Sequence, residues 1–162
     1  MTAPDAGSSS ASIAIGQIAV AQGCGVLRTL VGSCVALVLH AGQHRASGVA
    51  HVMLPSSDGR GSQPGKYADT AVAETLRLLR EATQDPGLSC TAKLVGGAAM
   101  FAFRGGAPIG EQNVMALERI LGECGIGIVG RACGGQYGRR VTVDVATGTV
   151  TVATAEHGTE TL

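Results

Sequence analysis

From residue 13 onward, short apolar runs alternate with clusters of glycine and polar residues, and the spacing of the apolar positions changes along the chain. Runs rich in β-branched residues and bounded by turn formers read as strands. They are Ile13 to Ala21 and Val26 to Val31, divided by a Gly23-Cys24-Gly25 turn, then Val35 to His40 and Gly48 to Leu54, which resemble a hairpin. After a Gly-, Pro- and Ser-rich loop from Ser56 to Lys66, Val72, Leu76 and Leu79 recur at helical spacing. That spacing predicts a helix from about Thr70 to Ala82 with Asp69 as its N-cap. Ala92 to Val95 reads as a short buried strand. A second helix carries Val114, Leu117, Ile120, Leu121 and Cys124, and Gly125 stands where a glycine would end it. Ile126 to Val129, Val141 to Val145 and Val150 to Ala153 are strands, the last two joined by a turn at Ala146-Thr147-Gly148-Thr149. Strands, helix, strand, helix, strands is the order of an α/β layered domain.

Only Arg28 is charged between Ser12 and His40, so hydropathy alone suggests a membrane span there. Gly16, Gly23, Gly25 and Gly32 interrupt the stretch, and Gln17 and Gln22 lie within it, which suits consecutive strands better than one helix of about 20 apolar residues. No membrane insertion is expected. No basic residue precedes the apolar region, as a secretory signal would require. The 162 residues fit one domain, with Met1 to Ala11 read as a disordered lead-in, 12–154 as the folded unit and 155–162 as a flexible tail.

Lys+Arg 12 balances Asp+Glu 12 and aromatic residues make up 2%, so neither a basic field nor stacking surfaces are available, and nucleic acid is not an expected partner. The five cysteines are Cys24, Cys34, Cys90, Cys124 and Cys133. They contain no C-x-x-C pair, which argues against a disulfide framework or zinc site and leans towards the cytoplasm. His40 and His44 flank a turn with no third ligand nearby, so no metal is expected. None of the Gly96-Gly97, Gly105-Gly106 and Gly134-Gly135 clusters has phosphate-loop spacing, and they read as close packing. Arg139-Arg140 reads as a solvated edge or an ion pair.

The candidate chemistry lies in Gly32-Ser33-Cys34 and in His51. If the hairpin turn centres near Gly42-Gln43, Cys34 faces His51 across the ladder, whereas a slip of one residue would send the two to opposite faces. An imidazole near a thiol either takes its proton or, once protonated, holds the thiolate by charge. Gly32 and Ser33 allow a tight approach in which backbone N–H groups face a substrate oxygen. The other four cysteines lack such a setting and read as structural.

The ordered motifs Thr29-Leu30-Val31-Gly32-Ser33-Cys34-Val35-Ala36, Ala50-His51-Val52-Met53-Leu54-Pro55 and Lys66-Tyr67-Ala68-Asp69-Thr70-Ala71 continue further along the chain. They are followed by Gly96-Gly97-Ala98-Ala99-Met100-Phe101, Ile109-Gly110-Glu111-Gln112-Asn113-Val114 and Gly134-Gly135-Gln136-Tyr137-Gly138-Arg139. Together they resemble the CheD family of chemoreceptor glutamine deamidases, from about Ile13 to Val152. The resemblance implies a layered β-sheet sandwich flanked by two main helices, like the thiol deamidases of the cytotoxic necrotizing factor type. It also implies hydrolysis of receptor glutamine side chains to glutamate without a cofactor. Cys34 would be the nucleophile, His51 the base and Thr29 the third member, although one version of the pattern places Arg28 there. The implied partners are the cytoplasmic helices of chemoreceptors and a CheC-type phosphatase, with Phe101 and Phe103 as candidate apolar anchors. Two rival readings remain. One is a receptor- or phosphatase-binding module, with Arg28 and Gln136 marking a catalytic shell that has drifted; the other, weaker, is a thiol peptidase.

Overall fold

The computed structural model describes residues 9–100 and 105–162. Two five-stranded sheets lie in layers, and two helices cover one of them. The first sheet has the order β1 (Ser9–Ser12), β3 (Gly25–Val31), β8 (Arg139–Asp144), β9 (Val150–Thr154) and β10 (Gly158–Thr161). The second has the order β2 (Ile18–Gln22), β5 (Ala46–Val52), β4 (Val35–Ala41), β6 (Thr91–Gly96) and β7 (Ile128–Cys133). Helices α1 (Ala68–Thr83) and α2 (Ile109–Glu123) pack on the second sheet.

The layering accounts for two kinds of strand sequence. β3 and β8 alternate buried with exposed residues because one face of the first sheet meets solvent. The central strands β4 and β5 are buried along almost their whole length, since one face meets the other sheet and the other face meets the helices. Val35, Leu37, Leu39, Ala50 and Val52 pack with Val72, Leu79, Leu117 and Leu121 under the helices. Ala36, Val38 and Val49 pack with Leu27, Val31, Val141 and Val143 between the sheets. The apolar stretch that mimics a membrane span therefore includes a strand buried on both sides, and no helix among the described residues is long and apolar enough to cross a membrane.

Several local expectations shift. Ser9–Ser12 is a strand paired in parallel with β3, so the lead-in cannot extend to residue 11. Gly158–Thr161 pairs with β9, so most of 155–162 is an edge strand and not a loose tail. Small polar sequences form both edges, held by ladder hydrogen bonds that composition does not register. The run read as one strand from Ile13 to Ala21 is broken by Gly16 at φ +80°, where the chain leaves the first sheet and enters the second. Asp69 is not an N-cap. Helix α1 starts one residue before it, and its carboxylate accepts hydrogen bonds from the Ser57 N–H and the Ser56 and Ser57 hydroxyls, fixing the preceding loop. At the end of α2, Gly125 adopts φ +68°, Ile126 N–H donates to Leu121 O and Gly125 N–H donates to Gly122 O, which is the Schellman closure.

Candidate active site

Cys34 lies where the chain crosses from β3 in one sheet to β4 in the other. Each carbonyl of the crossing segment is anchored: Gly32 O accepts from Ala98 N–H (2.9 Å), Ser33 O from Asn113 Nδ2 (3.2 Å) and Cys34 O from Gly97 N–H (2.9 Å). The N–H groups of Gly32, Ser33 and Cys34 donate to no atom among the described residues. A Cβ on Gly32 would sit 3.2 Å from Met100 Cγ, close enough that the methionine side chain would have to shift. A shallow cavity of about 540 Å³ opens beside it, with Leu30, Met100, Arg140 and Ala153 among its lining residues.

His51 lies near the end of β5, opposite Ala36. The turn spans Gly42–His44, and Ala41 pairs with Ala46, so the register differs by two residues from one that sets Cys34 directly across from His51. A two-residue shift preserves the face. Cys34 and His51 thus both lie on the side facing the first sheet, as diagonal neighbours. The loop from Ile13 to Gln17 wraps the histidine: Gly16 N–H donates to His51 O (2.9 Å) and His51 N–H to Gln17 O (3.0 Å).

Thr29, on the facing strand β3, completes the group. Its hydroxyl donates to Ile13 O (2.7 Å) and lies 2.8 Å from His51 Nδ1. A hydroxyl has one proton, and this one is committed to a carbonyl that cannot donate, so Thr29 Oγ1 accepts from Nδ1–H. That fixes the neutral tautomer and leaves the Nε2 lone pair for a proton from outside the Thr29 contact. Thr29 and His51 are 3% and 4% exposed, respectively. Arg28 faces outward, donating to Ser10 Oγ, and Gln136 is exposed, so neither occupies Thr29's position.

Burial raises the pKa of the Cys34 thiol and lowers that of the His51 imidazole, the latter partly offset by the Ile13 carbonyl. Both directions favour a neutral thiol beside a neutral base over a preformed thiolate–imidazolium pair.

The remaining candidates divide. Gly32 and Ser33 immediately precede Cys34 in the crossing segment, whereas Phe101 and Phe103 lie outside the described residues. Cys24 and Cys124 are exposed, Cys90 and Cys133 half-buried, and all four are free. His44 pairs with Asp85 at 2.8 Å and His40 bonds Ser47; no cluster among the described residues could hold a metal. Arg139 corrects the solvated-edge reading: it is 5% exposed and lies over the Tyr137 ring at 4.8 Å, with no salt bridge among the described residues. Sequence reasoning missed Asn113 as a site residue. Its signal was a polar residue in the stripe Gly110, Asn113, Leu117 and Leu121, which α2 buries.

Residues 53–154 match the family described as CheD chemotactic sensory transduction, a span that begins just after His51. The chain is 39% identical to a probable chemoreceptor glutamine deamidase CheD of Methanococcus maripaludis, covering 86% of this chain and 92% of the relative. It is also 39% identical to the chemoreceptor glutamine deamidase CheD of Thermotoga maritima, covering 86% and 88%. A probable enzyme of the same name from Methanosarcina barkeri is 38% identical, with 86% and 93% covered.

Proposed function

The chain belongs to the CheD family, and from that membership and the arrangement of Thr29, His51 and Cys34 we propose that it is a chemoreceptor glutamine deamidase working through a cysteine thioester. The carrying observation is the hydrogen-bond chain from Ile13 O through Thr29 to His51 Nδ1, which presents Nε2 as a base on the face that also carries Cys34. The Cys34 proton passes to Nε2 as sulfur attacks the carboxamide carbon, and N–H groups of the Gly32-Ser33-Cys34 segment hold the oxyanion. Imidazolium then gives its proton to the departing nitrogen and ammonia leaves a thioester. Water, deprotonated by His51, cleaves the thioester to glutamate and restores the thiol. Neither a metal nor a cofactor enters these steps.

The substrate is a glutamine side chain on the cytoplasmic helices of a receptor, which places the enzyme in the cytoplasm. A shallow opening lined by Leu30 and Met100 suits a side chain projecting from a folded helix. The binding-module reading with a drifted shell has less support, since Thr29 Oγ1 lies in hydrogen-bond contact with His51 Nδ1 while Arg28 faces outward to Ser10. A CheC-type phosphatase is the further partner that family membership suggests. Co-expression of a receptor fragment with wild type and with Cys34→Ala, followed by mass spectrometry, tests the reading. Amide-to-acid conversion is expected with wild type alone, and identical spectra would overturn it.

A further inference from the structure

Asn113 has no solvent exposure, and its side chain joins the two segments that carry the reacting pair. Nδ2 donates to Ser33 O (3.2 Å) and Met53 O (3.0 Å), the residue before Cys34 and the second residue after His51. Oδ1 is buried and has no partner among the described residues. Turning the amide over would only set Oδ1 against two carbonyl oxygens, so the donors dictate its orientation. An apolar side chain of similar volume would remove the unpaired Oδ1 but leave the Ser33 and Met53 carbonyls without their donor. Asparagine is therefore held at this position by what it does for those two carbonyls and not by apolar packing.

We propose that Asn113 is a positioning residue for deamidation, acting through the Ser33–Cys34 peptide, and that the N–H groups of Ser33 and Cys34 are the oxyanion donors; this rests on the deamidase reading above. In a trans peptide the carbonyl of one residue and the N–H of the next point to opposite sides. Ala98 N–H holds the Gly32 carbonyl, which turns the Ser33 N–H away from that anchor. Asn113 holds the Ser33 carbonyl, which turns the Cys34 N–H away in the same manner. Both N–H groups are left without a partner among the described residues. Donors fixed in this way stabilise a developing oxyanion without reorganising during the reaction. The Gly32 carbonyl is anchored by backbone that no substitution removes, whereas the Ser33 carbonyl depends on one side chain. Loss of that side chain frees the Ser33–Cys34 peptide to rotate. His51 keeps its own supports, the β4 ladder and Thr29, and Cys34 keeps the Gly97 N–H on its carbonyl, so the thiol and its base remain in place.

The test uses Asn113→Ala and Asn113→Leu, the second of which refills the volume without the hydrogen bonds. Deamidation of the receptor fragment should show kcat at least about 30-fold below wild type with KM within about threefold, in the range of losing an oxyanion donor. Alkylation of Cys34 by iodoacetamide displaces iodide from a saturated carbon and forms no oxyanion. Its rate should stay within about threefold of wild type with the same pH profile. A kcat equal to wild type would overturn the proposal. An alkylation rate outside that range would also overturn it, because the effect would then lie on the thiol, the imidazole or the fold. Failure of wild type to exceed Cys34→Ala in deamidation is a separate outcome, which removes the deamidase reading and this role with it.

Discussion

At Thr29 a single proton fixes the tautomer of its neighbour: because the hydroxyl donates to Ile13 O, His51 is held as the Nδ1–H form, with Nε2 free of that contact. Thr29→Ala should lower deamidation at least about tenfold, the scale of general base catalysis, while Thr29→Ser retains most activity. The alanine variant should also lose about 1–3 kcal/mol of stability, measured by urea unfolding, because the Nδ1–H and the Ile13 carbonyl are left unpaired in a buried site. Protonation gives a second prediction. With Cys34 raised and His51 lowered by burial, alkylation of Cys34 by iodoacetamide should still be climbing above the ordinary thiol value of about 8.5. A plateau already reached near about pH 6 would instead indicate a thiolate–imidazolium pair. Sequence singled out Cys34 and His51 because their residue types suit thiol chemistry, and Thr29 because the family resemblance implies a threonine there. It could not assign protonation, which depends on burial and on the partner of one hydroxyl.

Helix α2 supplies Asn113 only because its first turn comes unusually close to the backbone after β6. A Cβ on Gly110 would come within 2.7 Å of Ala98 O, and one on Gly97, at φ +68°, would lie 2.8 Å from Gly110 O. Gly110→Ala should therefore cost about 1–3 kcal/mol by overpacking, seen as a lower urea midpoint. It should also reduce kcat, because the helix must move and carry Asn113 with it. At the level of elements, apolar spacing located both helices and most strands. It missed β1 and β10, whose sequences are small and polar, because an edge strand is made by its neighbour's hydrogen bonds. It also merged two strands across Gly16, where the sequence carries no sharp polarity change but the backbone takes a positive φ.

In the whole molecule, the half-buried His40 and the buried His51 link stability to pH. His40 and His51 both have lowered values, with burial the main cause, so the unfolded chain takes up protons before the folded one as pH falls. Stability from this source is fully present above about 6.5 and declines below it, since the slope follows the excess protons bound by the unfolded state. Urea midpoints should drop between about pH 7 and about pH 5, and His51→Gln should flatten part of that decline. The layered architecture also shapes the candidate site: β3 and β4 belong to different sheets, so the Gly32-Ser33-Cys34 crossing joins the layers with its carbonyls anchored and its N–H groups without a partner among the described residues. By itself the sequence determined the layered α/β class and the family and pointed to Cys34 and His51 as candidates, because periodicity, residue chemistry and motif order are local or linear properties. Only the tertiary structure decided the hairpin register, shifted by two residues, the hydrogen bond between Thr29 and His51 and the contacts of Asn113. Those depend on contacts between positions up to 80 residues apart, such as Asn113 with Ser33, which no local pattern encodes.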